Sequence, residues 1–337
     1  MAINPIRTQT VRKMYWNYLV KRLAISIITF FIAACIIFLL LRTMPGDFVS
    51  NLVLSFGNTL PQETVEAFYR ANGLDRPLHA QLITFFSGAF TFNTGTSFLY
   101  GVPAGGLIAD RIGWTLLLLI PAAVFSLFIG VLLGVWSSWK QGSGTDSSLL
   151  AFMMAVRAIP SYWWGTMAIL FFAFLIPFFP LGGYTSLTVL DSGLSIQDVL
   201  WHAALPVVVL TLVGIPGTYY LMRNSMIHTL QEDYILFARA RGLPETRVVR
   251  HAFRCALLPV ITMSALQIAG LIMGSVFVET VFSWPGVGLL TTEALQNRDL
   301  PVLEAIFLLD TVAIIVANLV VDLSYPLLDP RVKRYGE

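Results

Sequence analysis

Long apolar runs separated by polar stretches dominate the chain. Six of them approach or exceed the ~20 residues that an α-helix needs to cross the hydrocarbon core of a bilayer. They cover residues 23–41, 112–136, 148–176, 203–222, 260–282 and 303–325. Charged side chains inside them are few: Arg157, Glu279, Glu304, Asp310 and Asp322. The pattern predicts an all-α polytopic membrane protein with six transmembrane helices.

Composition supports lipid as the solvent of this chain. Of 337 residues, 56% are hydrophobic and 12% are charged, whereas about a quarter of the residues of soluble domains are charged. This composition indicates the lipid bilayer as a partner. The net charge of +2 is too small for a nucleic-acid binder, so nucleic acid is not expected as a partner. Two cysteines, Cys35 and Cys255, exclude a disulfide framework. The four histidines lack ligand spacing, so no metal site is expected: His79, His202, His228 and His251.

The distribution of Lys and Arg predicts the orientation in the membrane. The two tails, the loop around Lys140 and the loop 223–259 hold 15 of the 21 positive residues, and residues 181–202 hold none. By the positive-inside rule both termini face the cytoplasm of a multi-pass inner-membrane protein. The expected organisation is a cytoplasmic tail (1–22), the first transmembrane helix (23–41), an extracytoplasmic subdomain (42–111), a core of helices 2–6 (112–325) containing the cytoplasmic loop 223–259, and a cytoplasmic tail (326–337).

The cytoplasmic loop 223–259 has the clearest local pattern. Good helix formers continue to Arg241, Gly242 can adopt the left-handed cap, and Pro244 cannot extend the helix. A second helix is predicted to begin near Glu245, because small and apolar residues follow at helical spacing: Val248, Ala252, Cys255 and Ala256. The pattern predicts a helix, a sharp corner and a second helix that leads into the fifth span. By composition alone, an ordinary basic loop with two interfacial helices fits equally well.

Five short motifs follow one another along the chain. They are Arg42-Thr43-Met44-Pro45-Gly46-Asp47, Gly73-Leu74-Asp75-Arg76-Pro77 followed by Gln81, the run VETVFSWPGVG at 278–288, Asn297-Arg298-Asp299-Leu300-Pro301, and Asp322 and Tyr325 followed by Asp329-Pro330-Arg331. In order and spacing, from about residue 15 to 334, they resemble the dipeptide/oligopeptide permease family of ABC importers, specifically its B-type subunit. The chain departs from the family pattern at 92–97, at 111–113 and at Arg157.

This resemblance implies a type I ABC importer permease fold, with the small extracytoplasmic subdomain between helices 1 and 2. The chain would form half of a path for di- or oligopeptides delivered by an extracytoplasmic solute-binding protein. Its other partners would be a second homologous permease subunit and two ATPase subunits. The chain contains no Walker A sequence, so ATP and Mg would be bound by the partners, and no catalysis or cofactor is expected in this chain.

Other solutes and other protein classes are alternatives. Oligosaccharides, nickel complexes or opines would suit the same importer class. A stand-alone secondary transporter is less favoured, because no inverted repeat is apparent. An intramembrane enzyme is also less favoured, because the spans lack an HExxH, GxSG or paired-Asp motif.

The cytoplasmic loop also resembles the "EAA" loop of ABC importer permeases. In that family a turn rich in alanine, a glycine and a later Leu-Pro form a coupling helix that docks in a groove of the ATPase subunit. The resemblance implies that the residues coupling this chain to the ATPase are Ala238, Arg239, Ala240, Arg241, Gly242, Leu243, Pro244, Leu258 and Pro259.

Three charged residues within the spans are candidates for the translocation path or its gate. Arg157 lies about nine residues into the third run, ~13 Å deep, where an unshielded charge costs ~3 kcal/mol or more. It therefore either meets a substrate carboxylate in a cavity or pairs with an acid such as Asp310. Asp310 in turn either lines the path or pairs. Glu279 either forms part of an external gate or binding-protein contact, or holds the turn 285–288 as a cap or in an ion pair.

Two further patterns concern packing. Gly130 and Gly134 form a GxxxG pair that permits close approach of another helix. Trp284 lies near the end of a span and is expected in the interfacial aromatic belt, as are Trp163, Trp164 and Trp201.

Overall fold

The computed structural model describes the backbone of residues 5–46, 48–49, 61–91, 93–186, 193 and 195–328. Side chains are described in these ranges except at 5–18, 262, 265–274 and 323–328. Parts of four predicted regions therefore lie outside the described residues: 1–4 in the first tail, 47, 50–60 and 92 in the extracytoplasmic subdomain, 187–192 and 194 in the core, and 329–337 in the last tail.

The regular elements of the described ranges are helices. They are α1 (Pro5–Thr43), α2 (Gln62–Ala71), α3 (Leu78–Thr91), α4 (Ala104–Trp139), α5 (Gly144–Ala158), α6 (Ser161–Ile169), α7 (Ile196–Leu230), α8 (Asp233–Ala240), α9 (Glu245–Val281), α10 (Val287–Asn297) and α11 (Leu300–Leu328). A π-helical turn, Leu170–Leu175, continues α6.

Helices suited to crossing a membrane coincide with the predicted apolar runs. Four described helical stretches are long and apolar enough: Leu19–Thr43, Ala104–Trp139, Ile196–Leu230 and Leu300–Asp322. The bent pair Gly144–Ala158 and Ser161–Leu175 makes a fifth. The remaining run, 260–282, falls almost wholly within α9, although part of its side chains lie outside the described set. The predicted all-α, polytopic membrane architecture is confirmed.

Internal contacts divide the chain into two compact units. The first comprises Met1–Asp110 with Glu293–Leu327, and the second comprises Arg111–Thr292 with Leu328–Glu337. The boundaries between them fall inside α4, α10 and α11 rather than in loops.

In the first unit α1 and α11 are antiparallel and are joined by an ion pair near each end. Arg42 Nη2 lies 3.0 Å from Glu304 Oε1, and Arg22 Nη1 lies 2.7 Å from Asp322 Oδ2. The paired residues are 20 positions apart on α1 and 18 apart on α11, or ~30 and ~27 Å of helix. These lengths match the ~30 Å hydrocarbon core of a bilayer, so the two pairs mark its approximate borders.

In the second unit α4 and α7 approach closely through the predicted glycine pair. A Cβ added at Gly130 would lie 2.7 Å from Thr218 Cβ. One added at Gly134 would lie 2.7 Å from Met222 Cβ and 2.9 Å from the Tyr219 carbonyl oxygen. No side chain fits in these gaps, so the packing role expected of the GxxxG pair is confirmed.

The third predicted span is broken. The axes of α5 and α6 differ by 95°, and the helix stops at Ile159, whose ψ of 128° is extended. The cause is local, because Pro160 follows and disfavours the helical conformation of the residue before it. Trp164 Nε1 donates to the Val156 carbonyl across the bend at 3.2 Å. The apolar run 148–176, predicted as the third span, is thus formed by two helices with a bend between them.

The second loop helix and the fifth span are one helix. α9 begins at Glu245 and continues for 37 residues, through Pro259, to Val281, a length of ~55 Å. Near the proline, Ser225 Oγ of α7 donates to the Ala256 carbonyl at 2.9 Å. This bond ties α9 to α7 where proline disturbs the helical hydrogen bonding.

Candidate coupling loop and translocation-path residues

The corner between α8 and α9 is a glycine-capped helix end. Gly242 has a φ of +77°, and its N–H donates to the Arg239 carbonyl at 2.9 Å. The N–H of Leu243 donates to the Ala238 carbonyl at 3.3 Å. These two bonds form a Schellman motif. Pro244 then caps α9 in an extended conformation, so the predicted helix–corner–helix is present.

α8 divides sharply into a buried and an exposed face. Ile235 is fully buried and packs in a cluster with residues of α7 and α9. On the opposite side Tyr234, Leu236 and Phe237 are exposed, Phe237 at 66% of its surface. Leu243 packs against the same cluster from the corner. A firmly seated helix thus presents two aromatic rings outward.

An ion pair spans the corner. Arg239 Nη2 donates to Glu245 Oε1 at 2.6 Å, and Arg239 Nε donates to Glu245 Oε2 at 3.3 Å. The hydrogen bonds to Glu245 raise the pKa of Arg239 above its ordinary value. Both side chains are about 40% exposed, and exposed pairs contribute at most ~1 kcal/mol. The pair therefore adds little to the stability of the fold.

The first turns of α9 carry a basic outer face. Val248, Ala252 and Ala256 are buried against α7 and α8. The intervening arginines are exposed, as the spacing predicts: Arg247, Arg250 and Arg254. Cys255 was expected with the apolar set but is exposed, because it lies one position before Ala256 on the helix.

A buried charged network lies close to this loop, at the ends of α4, α5 and α7. Arg223 donates two hydrogen bonds to Asp146, from Nε at 2.9 Å and from Nη2 at 2.8 Å. Ser137 donates to the same carboxylate and contacts the Tyr219 hydroxyl at 2.7 Å. The side chains of Arg223 and Asp146 are 14% and 4% exposed. From the sequence, Arg223 was counted only among the positive residues of the loop 223–259, and no partner for it was predicted.

Arg157 lies at the break of the third span, in the last turn of α5. Its side chain is exposed, and its guanidinium carbon is 6.0 Å from the centre of the Tyr220 ring on α7. Within the second unit, no described carboxylate forms an ion pair with it. Asp310 belongs to the first unit and is half-buried on α11. Its pairing with Arg157 and the path roles of both residues stay predictions.

Glu279 closes the C-terminal end of α9, which the positive charges predict to lie on the outer side of the membrane and which is therefore called its outer end. It is fully buried, and its Oε2 accepts from the N–H of Gly288 at 2.6 Å and of Leu289 at 3.3 Å. These N–H groups belong to the first turn of α10, which has no helical acceptor for them. The geometry therefore matches the capping alternative for Glu279, whereas a role in the gate stays a prediction.

The residues of the motif 278–288 are those that the geometry of this outer turn requires. Ser283 adopts φ +50° and ends α9, and Trp284 is fully buried, with its Nε1 donating to the Trp114 carbonyl at 2.9 Å. A Cβ at Gly286 would overlap the Glu279 carboxylate, and one at Gly288 would lie 2.6 Å from Val276 Cα. Trp284 is thus a core residue, and its expected place in the interfacial belt is wrong.

Two other motifs meet in the first unit. Arg42, which pairs with Glu304, also donates from Nε to Gln81 Oε1 at 2.7 Å. Gln81 Nε2 in turn donates to the carbonyls of Leu74 and Arg76, at 3.1 and 2.8 Å. The Arg-x-x-Pro-Gly-Asp and Gly-Leu-Asp-x-Pro motifs are therefore joined through one glutamine. A cavity of about 460 Å³ borders this cluster.

The motif 297–301 fixes the segment after α3. Asp299 accepts from Ser97 Oγ at 2.5 Å and from two backbone N–H groups, those of Phe98 and Leu99, at 3.1 Å each. Thr94 Oγ1 donates to the Pro301 carbonyl at 2.9 Å. These residues thus serve the architecture of the unit, which the sequence pattern did not indicate.

No group of three or more His, Cys, Asp or Glu side chains suited to a metal ion occurs among the residues that the structure describes. The described arrangement is that of a multi-pass helical membrane protein in which a loop rich in arginine carries a helix with one buried and one exposed apolar face.

The chain belongs to the family of binding-protein-dependent transport system inner membrane components. The sequence model of that family matches residues 126–334, and the model of the N-terminal part of such components matches residues 15–102. This chain is 33% identical to the di/tripeptide transport system permease protein DppB of Pseudomonas aeruginosa, over 94% of this chain and 98% of the relative. It is also 33% identical to the oligopeptide transport system permease protein AppB of Bacillus subtilis, over 94% and 99%.

The predicted class is thereby confirmed. The chain is a non-catalytic, multi-pass permease subunit of an ABC importer of the inner membrane.

Proposed function

We propose that this chain forms half of the translocation path for di- or oligopeptides. It would act with a second homologous permease subunit, two ATPase subunits that bind ATP and Mg, and an extracytoplasmic solute-binding protein. The peptide names of the relatives support this substrate class. Oligosaccharides, nickel complexes and opines are the alternative solutes. The positive-inside distribution supports cytoplasmic positions for both termini and for residues 223–259.

The observation that carries the coupling role is the exposed face of α8. Contiguous exposed apolar patches mark contacts with proteins or membranes, and this face carries Tyr234, Leu236 and Phe237. Phe237 and Tyr234 have the character of interface anchors. They sit beside the Gly242 corner, and α9 continues from that corner to Glu279 without a break. A displacement imposed on α8 by an ATPase would therefore be transmitted along α9 to the outer turn.

Replacing Gly242 with valine is expected to abolish most ATP-driven uptake while the subunit still inserts. A β-branched residue at φ +77° is strained by about 1–2 kcal/mol, and relief of the strain would turn α8 away from its docking position. Uptake and substrate-stimulated ATPase activity are measured in proteoliposomes that contain all subunits. Gly242→Asn should retain more activity, because asparagine tolerates this conformation.

The matched control is Gly101→Val. Gly101 has a similar φ of +68° and, like Gly242, has no atom within 4 Å of an added Cβ, but it lies in the other unit. It should cost similar stability and leave the coupling of ATPase activity to uptake unchanged. Equal loss of coupling in both variants, or wild-type coupling in Gly242→Val, would reject the role of the corner.

Replacing Arg157 with methionine is expected to weaken uptake of peptides with a free terminal carboxylate by about tenfold. A charge-assisted hydrogen bond contributes about 1.5–3 kcal/mol, and 1.4 kcal/mol corresponds to tenfold. Peptides with an amidated terminus should lose little. Uptake of both peptide types is compared between Arg157→Met and Arg157→Lys, which keeps the charge.

Pairing with Asp310 predicts a different result. Arg157→Met and Asp310→Asn would then each destabilise the assembly, and the double change would recover much of the loss, because neither charge is left without its partner. Equal loss of uptake for free and amidated peptides, combined with such recovery, would reject contact of Arg157 with substrate.

A further inference from the structure

α3 is an apolar helix in a segment that the sequence assigned to the outside of the membrane. Between Leu82 and Phe90 it contains no charged residue. Its hydroxyl groups bond to its own backbone: Thr84 Oγ1 donates to the Ala80 carbonyl at 3.1 Å, and Thr91 Oγ1 donates to the Ser87 carbonyl at 2.9 Å. An apolar helix of 14 residues is too short to span but has the length of a re-entrant segment.

α3 packs antiparallel to α1, starting from the Arg42–Gln81 hydrogen bond. Phe85 then packs against Phe38, with ring centres 5.6 Å apart. The last turn reaches Phe31, whose ring lies 5.5 Å from Phe86 and 6.0 Å from Phe90. Successive contacts of α3 therefore move along α1 away from its outer end.

The ion pairs between α1 and α11 set the depth of this contact. Arg42 and Glu304 mark the outer border, and Phe31 is 11 positions from Arg42 along α1. That distance is ~16 Å of helix, whereas the whole hydrocarbon core is ~30 Å thick. The last turn of α3 thus packs against a part of α1 that lies near the middle of the hydrocarbon core.

The outer face of α3 is apolar and uncovered. Phe85 and Gly88 are buried toward α1 and the following segment, whereas Ile83 is 69% and Phe90 is 63% exposed. This face adjoins the exposed Phe31 of α1. The backbone also suits lipid, because a helix satisfies its own N–H and C=O groups and Asn93 N–H closes the turn on the Gly88 carbonyl at 2.9 Å.

We propose that α3 is a re-entrant helix whose outer face, carrying Ile83 and Phe90, contacts the acyl chains of the outer leaflet. The subdomain between the first two spans is then anchored within the membrane and does not merely rest on it. Because Gln81 belongs to this helix, the lipid contact also positions the Arg42–Glu304 cluster at the membrane border.

The test is collision-based depth measurement with spin labels. Cys35 and Cys255 are replaced by alanine and serine, and single cysteines are placed at Ile83 or Phe90 in the assembled transporter in phospholipid nanodiscs. We expect collisions with oxygen to exceed those with a water-soluble nickel chelate at both positions, and by more at 90 than at 83. A label at Glu66, exposed on α2, is the aqueous control, and a label at Ile28, exposed on α1, is the lipid control.

Two outcomes would overturn the proposal. Nickel collisions like those at 66 would place α3 in water, and a loss of collisions with both reagents would bury this face against another protein. A second measurement needs no substitution: phospholipids with a photoreactive group in the acyl chain should label residues 78–91 of the unchanged protein. Labelling of α1 with none on α3, read by mass spectrometry, would also reject the lipid contact.

Discussion

Replacing Asp146 with asparagine is expected to destabilise the subunit by about 3 kcal/mol or more, because it leaves the buried Arg223 guanidinium without an anion. The two bonds from Arg223 and the contact with Ser137 join the ends of three helices through this one carboxylate. Thermal or denaturant unfolding of the purified subunit measures the loss. The double variant Asp146→Asn with Arg223→Gln should recover part of it, since no charge is then left unpaired.

The exposed pair Arg239–Glu245 is the matched control for burial. It has the same two-bond Arg–carboxylate chemistry, but both side chains are about 40% exposed. Glu245→Gln should therefore cost at most ~1 kcal/mol, and less at high salt. Similar losses for Asp146→Asn and Glu245→Gln would contradict the role assigned to the buried network.

Replacing Glu279 with alanine is expected to destabilise the outer turn by about 2–3 kcal/mol. The change leaves the N–H groups of Gly288 and Leu289 buried without an acceptor. Glu279→Gln keeps an amide oxygen at the same place and should retain most of the stability. Unfolding of both variants and peptide uptake are measured in parallel.

The pair of variants separates the two roles of Glu279. If the residue only caps α10, stability and uptake should fall together in Glu279→Ala and should both be largely kept in Glu279→Gln. If its charge also serves a gate, Glu279→Gln should stay folded and lose uptake. A Glu279→Ala protein as stable as the original would refute the capping role.

The outer turn and the Gly242 corner lie at the two ends of α9. The corner ends α8 with Gly242 at φ +77°, and the outer turn ends α9 with Ser283 at φ +50°. The same pair of backbone bonds closes both helix ends. One helix of ~55 Å, α9, joins the two turns. The Gly242 and Glu279 variants therefore test its two opposite ends.

The sequence by itself determined the membrane class, the approximate positions of the spans, the close approach at Gly130 and Gly134, and the Gly242 corner. These features are local or depend on composition: apolar runs of a given length need lipid, a glycine followed by a proline ends a helix, and small residues allow close packing. The break at Pro160 also has a local signal, but the length of the apolar run concealed it.

Only the tertiary structure decided which charges meet and which side chains are covered. Arg223 pairs with Asp146, and Arg42 bonds to Gln81 and pairs with Glu304. These partners are separated in sequence by 39 to more than 200 residues. Trp284 is in the core although its position in the sequence is that of a belt residue. The physical reason is the same in each case: the cost of burying a charge or a ring depends on its neighbours, and these are set by how distant helices pack.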